Sequence, residues 1–322
     1  MVATGTFRND EYAFKQLCDR FRLGELKGVC GELGGSFNVN VKFSTTSGAY
    51  VARLLNESIS KEHLRYIGKV LHALRKNGLP VVTPLTAANG DPFLLWNGKL
   101  VQVCPFVNAR SFQCSDIQAF ASARMLRRFH DALDSFKEGP SPSWSFFRPM
   151  SYFADRLEQL KTVRGIPADE RRFVEEESAR LAAKWTGAAK SLPAATLHGD
   201  WHFWNQRYNN GAVAAIMDFD FVQYGKRVLD VAYAMWIVYA VLPNHAAKLD
   251  YAFLSGYGKM TPQEKHILTT AIALIALFFL CQAAGASDPR VKWESQYRKQ
   301  GPLLQWLRLD GEKRIAEIAN PI

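Results

Sequence analysis

Two carboxylates and one amide stand at a spacing that suits phosphoryl transfer. Within His198-Gly199-Asp200-Trp201-His202-Phe203-Trp204-Asn205, Asp200 and Asn205 are five residues apart, and Asp218-Phe219-Asp220 begins thirteen residues after Asn205. Phosphoryl transfer needs one carboxylate to orient an acceptor hydroxyl and take its proton. It also needs an amide oxygen and a second carboxylate to hold the magnesium that neutralises phosphate charge. Asp200 is the candidate base, Asn205 and Asp218 are the candidate metal ligands, and Asp220 could assist with metal or substrate. Between them, Gln206-Arg207-Tyr208 and Val213-Ala214-Ala215-Ile216-Met217 flank Asn209-Asn210-Gly211. An Asn-Gly pair between two β-like runs predicts a tight hairpin, which would fold Asp218 back beside Asn205. His198 and His202 share the i, i+4 spacing of a zinc pair, but no H-E-x-x-H glutamate and no clear third ligand accompany them. His198 therefore reads as a brace for the loop, and Trp201, Phe203 and Trp204 as packing residues rather than substrate platforms.

The same Asp and Asn stand in the D-x-x-x-x-N relation of the protein-kinase pattern. H-G-D-x-x-x-x-N, an apolar strand ending in Asp218-Phe219-Asp220, and then Asp230-Val231-Ala232 more closely resemble the aminoglycoside phosphotransferase, choline kinase and type II homoserine kinase-like family. The resemblance implies an α+β, protein-kinase-like fold of two lobes. Residues 1–104 would form an N-lobe with an antiparallel sheet plus helix, 105–110 a linker, and 111–322 a mainly helical C-lobe. It also implies an ATP- and Mg2+-dependent kinase acting on a hydroxyl of a small metabolite or natural product such as an antibiotic, sugar or amino alcohol. Gly34, Gly35 and Ser36 form a turn whose backbone could approach phosphates. Arg53 stands where the family's strand carries a phosphate-binding lysine; it keeps the charge but changes reach and geometry. Glu62 is the one candidate for the helix glutamate of kinases and reads instead as a solvated charge. Phe106 and Val107, after Pro105, would meet adenine, with Val107 offering the amide that proline lacks. Asp230 would accept hydrogen bonds from the catalytic-loop backbone. An alternative is a catalytically weak, nucleotide-binding pseudokinase scaffold. Arg53 and the unplaced glutamate favour it, and the intact Asp200, Asn205 and Asp218 oppose it. Protein-kinase activity is disfavoured because no D-F-G or A-P-E frames an activation segment.

The elements that must carry these residues are legible from periodicity. Phe14, Leu17, Cys18 and Phe21 make an amphipathic helix over 11–22. Strands are expected around Val39 to Phe43 and Ala49 to Leu54, and a helix over 58–77 ends at Gly78. Asn97-Gly98 predicts a second hairpin within 92–104. Ser115-Asp116-Ile117-Gln118 and Thr261-Pro262-Gln263-Glu264 read as capping boxes, the latter with proline at the first helical position. Further helices are expected over 152–163, 168–186 and 228–242.

Composition narrows the class. A chain of 322 residues, 48% hydrophobic and 22% charged, can bury a large core and split into two lobes. A net charge of +10 favours polyanions such as nucleotides, and it argues against polycationic acceptors and toward neutral or anionic ones. No dense Lys/Arg run or known motif points to nucleic acid. Five cysteines without a C-x-x-C pair, and no secretory signal, point to a reducing cytoplasm. The uncharged run 267–286 is long enough to span a membrane. Its Thr269, Thr270 and Gln282, many alanines and capped start favour a helix buried in the C-lobe instead.

Overall fold

The computed structural model describes Phe7 and residues 10–319. The described chain divides into two compact units, one running to Arg110 and including Ala215–Met217, the other comprising Ser111–Ala214 and the chain from Asp218 onward.

The first unit is an antiparallel sheet with two helices. Helix α1 (Glu11–Phe21) starts where the Asp10 side chain accepts from the Ala13 amide at 3.0 Å, and it stops at Arg22, whose φ of 56° is left-handed. Five strands follow in the sheet order β1-β2-β3-β5-β4: β1 (Leu26–Glu32), β2 (Val39–Thr45), β3 (Gly48–Leu54), β4 (Leu94–Trp96) and β5 (Lys99–Pro105). Phe14 and Phe21 of α1 pack on Val41, Phe43, Ala52, Leu54, Val101 and Val103, which project from one face of that sheet. The other face of β3 carries Ala49, Val51 and Arg53, as a period of two requires. Helix α2 (Lys61–Lys76) is capped by Ser60 and ends before Gly78, whose φ is 71°. The expected hairpin at Asn97-Gly98 forms with φ of 46° and 80°, the signature of a two-residue primed turn.

The second unit is mainly helical. Its helices are α3 (Asp116–Ala132), α4 (Met150–Lys161), α5 (Ala168–Ala189), α6 (Val228–Trp236), α7 (Ala246–Tyr257), α8 (Pro262–Cys281), α9 (Pro289–Trp306) and α10 (Glu312–Ala319). Strand β6 (Ala194–Leu197) pairs with β9 (Gln223–Lys226), and β7 (Gln206–Asn209) pairs with β8 (Ala212–Ile216). Asn210 and Gly211 turn the second pair at φ of 49° and 81°. Beyond the turn, the end of β8 belongs to the first unit, where Ile216 donates to Pro80 O at 2.8 Å and accepts from Val82 N at 2.9 Å.

Helix α8 is the centre of the second unit, in contact with α5, α6, α9 and α10. It starts with a complete capping box, Thr261 Oγ1 accepting from Glu264 N and Glu264 accepting from Thr261 N. By length and composition Pro262–Gly285 could cross a membrane, but 83% of its most apolar window is buried inside the protein. Apolar side chains on every face are what a helix wrapped by other helices needs. Glu264 itself is fully buried and held by a bidentate pair with Arg227, at 2.9 and 2.7 Å.

Two sequence expectations are corrected. Ser115 makes no side-chain cap on α3. Gln118 Oε1 instead accepts from Gln113 N at 2.8 Å, because Cys114 takes a left-handed φ of 53° and turns that amide toward the helix. The helix expected to run regularly over 228–242 is α-helical only to Trp236 and continues as a π turn over Ile237–Val241. Helix α7 lies so close to α3 that a Cβ on Gly256 would stand 2.4 Å from Phe120 O. Gly256→Ala is expected to lower stability by about 2–3 kcal/mol through overpacking, measured by chemical denaturation.

Candidate active site

The loop after β6 is built on one buried carboxylate. Asp230, in the first turn of α6 and wholly buried, accepts from His198 N at 2.8 Å through Oδ2 and from Gly199 N at 3.0 Å through Oδ1. His130 Nε2 lies 3.1 Å from Asp230 Oδ2, and its Nδ1 lies 3.0 Å from the Tyr257 hydroxyl. A buried carboxylate needs such partners, and here the expected bonds to the loop backbone are present. Gly199 must be glycine. Its φ is 82°, and a Cβ there would sit 2.1 Å from Phe221 O. Trp201 and Phe203 anchor the loop as packing residues. The first is fully buried with Nε1 donating to Ser122 Oγ at 3.1 Å, and the second stacks on Phe112 at 4.3 Å. His198 packs among Phe129, Trp201 and Phe219, with ring centroids 5.0–6.0 Å away.

The loop presents Asp200 with its carboxylate buried. Asn205 Nδ2 donates both to Asp200 Oδ2, at 2.9 Å, and to Asp200 O, at 3.0 Å. Both hydrogens of that amide are thereby used, and its Oδ1 is left as an acceptor. Tyr233, one turn along α6 from Asp230, brings its hydroxyl to the Asp200 carboxylate. Asp200 Oδ1 is buried and takes no well-aligned hydrogen bond from any described residue. Burial first, and then the charges of Asp218 and Asp220, push the Asp200 carboxyl well above the usual range, against the opposing bonds from Tyr233 and Asn205. Asp218 therefore stands within electrostatic reach of both Asp200 and Tyr233, held at a left-handed φ of 62° that few non-glycine residues adopt. Asp220 is buried two residues on.

His202 is a second group the sequence did not single out for this role. Its Nδ1 accepts from Trp204 N at 3.2 Å, so the ring proton belongs on Nε2, 3.6 Å from Asp200 Oδ2. Burial pushes its pKa down to about 3, so the ring is neutral where the loop works. Tyr233 was hidden within an apolar helix. Its only sequence signal is its place one turn after Asp230, on the helix that reaches the loop.

The other candidates lie in the first unit. Gly34 and Gly35 occupy the turn between β1 and β2 at φ of 79° and 118°, followed by exposed Ser36. Asn40 Nδ2 donates back across that turn to Gly34 O at 3.2 Å. Arg53 lies between Asn40 and Gln102 in the sheet register, half-buried. The Phe106 amide is used by Ala49 O at 3.0 Å, and Lys42 Nζ lies 3.9 Å over the Phe106 ring. Val107 O accepts from Ala109 N at 3.1 Å, and Glu62 is exposed in the first turn of α2.

A metal at the loop would be a hard one. Among the described residues no group of three or more His, Cys, Asp or Glu side chains is gathered for an ion. The oxygen of Asn205 and the carboxylate of Asp218, beside the orphaned Asp200 Oδ1, fit an ion such as Mg2+, which takes one or two carboxylates and completes its shell with phosphate and water.

An antiparallel-sheet unit and a mainly helical unit are the parts of a protein-kinase-like fold. The model of the phosphotransferase enzyme family matches residues 32–265, and the chain belongs to that family. It is 24% identical over 260 residues to a homoserine kinase of Polaromonas naphthalenivorans (strain CJ2), covering 76% of this chain and 78% of that one. It is 25% identical over 264 residues to a homoserine kinase of Neisseria meningitidis serogroup B, covering 78% and 81%. Among solved structures, a microcompartment-associated aminopropanol kinase superimposes with a TM-score of 0.73 at 14% identity, covering 96% of this chain and 98% of that one. An amicoumacin kinase in complex with AMP-PNP, Ca2+ and Ami gives 0.69 at 16%, covering 92% and 93%.

Two outcomes follow from the loop's construction. Asp230→Ala should cost about 3–5 kcal/mol, because two buried amides and His130 lose their acceptor, and urea unfolding measures it. His202 in the folded state refuses the proton that the unfolded chain takes below its ordinary pKa of 6.5, so stability falls as pH drops from there toward 3. Between pH 7 and pH 5 the wild type should lose about 1–2 kcal/mol more than His202→Gln, read from thermal melts at the two pH values.

Proposed function

We propose that the protein transfers the γ-phosphoryl group of ATP, with Mg2+, to a hydroxyl of a small metabolite or natural product. The observation that carries this is the Asp200 carboxylate: one oxygen is tied by Asn205, and the other is buried without a well-aligned partner. That second oxygen, Oδ1, is where an acceptor hydroxyl would donate. Its raised basicity suits a group that receives the proton as the acceptor oxygen attacks phosphorus and the bond to the bridging oxygen of ADP breaks.

Asn205 Oδ1 and the Asp218 carboxylate would hold Mg2+, which when bound neutralises phosphate charge. Asn205 also keeps Asp200 in one rotamer, and Tyr233 and neutral His202 place two more hydrogen-bond donors around the same carboxylate. Arg53 and the Gly34-Gly35-Ser36 turn would hold phosphates, and Phe106 and Val107 would border adenine. The similar amicoumacin kinase, solved in complex with AMP-PNP, supports nucleotide use. Five free cysteines support a reducing, cytoplasmic setting.

Asp200→Asn should lower turnover by about 10²–10⁴-fold while leaving nucleotide affinity nearly intact, and Asp218→Ala should weaken Mg-ATP binding itself. A coupled ADP-release assay with a panel of alcohols, and calorimetric titration of Mg-ATP, check the two. Equal turnover in wild type and Asp200→Asn would refute the assignment.

A further inference from the structure

An aromatic path leads from the Asp200 carboxylate to two arginines that have no acidic partner among the described residues. The Phe146 ring lies 4.6 Å from the ring of Tyr233, whose hydroxyl meets Asp200, and 5.7 Å from Phe278. Phe278 stacks on Tyr152 at 6.0 Å. The guanidinium groups of Arg148 and Arg156 each lie 5.3 Å from the Tyr152 ring. Phe147, next to Arg148 in the chain, stands 6.5 Å from Tyr233, so Arg148 follows directly on a residue beside that ring.

The charge at the far end of this path is uncompensated. Among the described residues neither arginine has a carboxylate within 4.0 Å. Arg156 donates to the neutral Gln159 Oε1 at 3.1 Å and to the Tyr152 hydroxyl, neither of them an acid, and Arg148 Nε is buried with no hydrogen-bond partner. The ionisable groups acting on the Tyr152 hydroxyl are Arg156, Cys281 and Arg148, with no carboxylate among them. That hydroxyl is itself fixed by Gln282 Nε2 at 2.7 Å. A buried guanidinium hydrogen without an acceptor costs free energy unless a ligand supplies one. The ligand that suits it presents oxyanion oxygens to a planar fork of donors.

Building on the phosphotransfer reading, we propose that Arg148 and Arg156 bind an oxyanion on the acceptor, so that the substrate is an alcohol carrying a carboxylate or a phosphate at the end remote from its reacting hydroxyl. Phe146 and Tyr233 would cover the carbon skeleton between the two ends. The hydroxyl would then lie at Asp200 Oδ1, and the oxyanion would set which alcohols are held there.

Three matched pairs test this: L-homoserine against 3-amino-1-propanol, 4-(hydroxymethyl)benzoate against benzyl alcohol, and glycerol 3-phosphate against glycerol. Binding of each compound is measured by calorimetry with AMP-PNP and Mg2+ present, and transfer by ADP release with ATP. The wild type should prefer the anionic member of at least one pair, and which pair it is separates carboxylate from phosphate. Arg148→Gln and Arg156→Gln should each reduce that preference about 10- to 100-fold through KM rather than kcat, and Arg148→Lys should restore part of it. No binding preference for any anionic member, or the same preference in the glutamine variants, overturns the proposal even when no compound is phosphorylated. Transfer to the uncharged members that equals or exceeds transfer to their anionic partners, and still depends on Asp200, would overturn the oxyanion site alone and leave the phosphotransfer reading standing. A fall in affinity for 3-amino-1-propanol equal to that for homoserine would mean that the arginines only support the fold.

Discussion

The second unit is arranged around the carboxylate of Asp230. It has no exposure to water, and it satisfies itself with two successive backbone amides, those of His198 and Gly199, and with His130. Leaving a buried carboxylate unpaired costs several kcal/mol, so this cluster fixes where the loop runs relative to α6 and α3. The rest follows in order. With its amide turned to Asp230, Gly199 must take a left-handed φ, and the near contact with Phe221 O excludes any side chain. Asp200, the next residue, is then delivered buried but aimed, with Tyr233 coming to it from the same helix that supplies Asp230.

The surroundings of Asp200 work in two directions. Burial and the nearby carboxylates Asp218 and Asp220 raise its proton affinity, and the bonds from Asn205 and Tyr233 lower it. A carboxylate crowded by like charge is a poor resting arrangement without a counter-ion and a suitable one with it. The left-handed Asp218 fits the same logic, because a short polar side chain tolerates that backbone region better than a bulky one, and strain of this kind is common where a group must be aimed.

Much of this was legible in the sequence, because local chemistry decided it. Asn97-Gly98 and Asn210-Gly211 turn as primed hairpins because those residues accept positive φ, and Thr261 with Glu264 closes a capping box because both partners lie within one turn. That Asp230 must find buried partners was legible, as an acid stranded among apolar residues, and the family resemblance supplied the loop backbone as those partners. What the sequence hid depends on long-range contact. Gln118 reaches Gln113 because of a left-handed Cys114, and the α6 helix widens into a π turn at Ile237. Tyr233 and His202 gain their meaning only when α6 and the loop meet, and Arg148 only when it lies beside Tyr152. Periodicity reports which face of a helix is apolar; it does not report which single hydroxyl on that face reaches a carboxylate.

Asn205 and Asp218 are proposed to share one divalent ion beside Asp200 when nucleotide is bound. A crystal structure of the protein with AMP-PNP and Mg2+ measures this directly. It should show the ion about 2.0–2.1 Å from Asn205 Oδ1 and from an Asp218 oxygen, with octahedral geometry completed by phosphate oxygens and water. Nucleotide bound with its magnesium on other side chains, or with Asn205 Oδ1 turned away from the ion, would contradict the account.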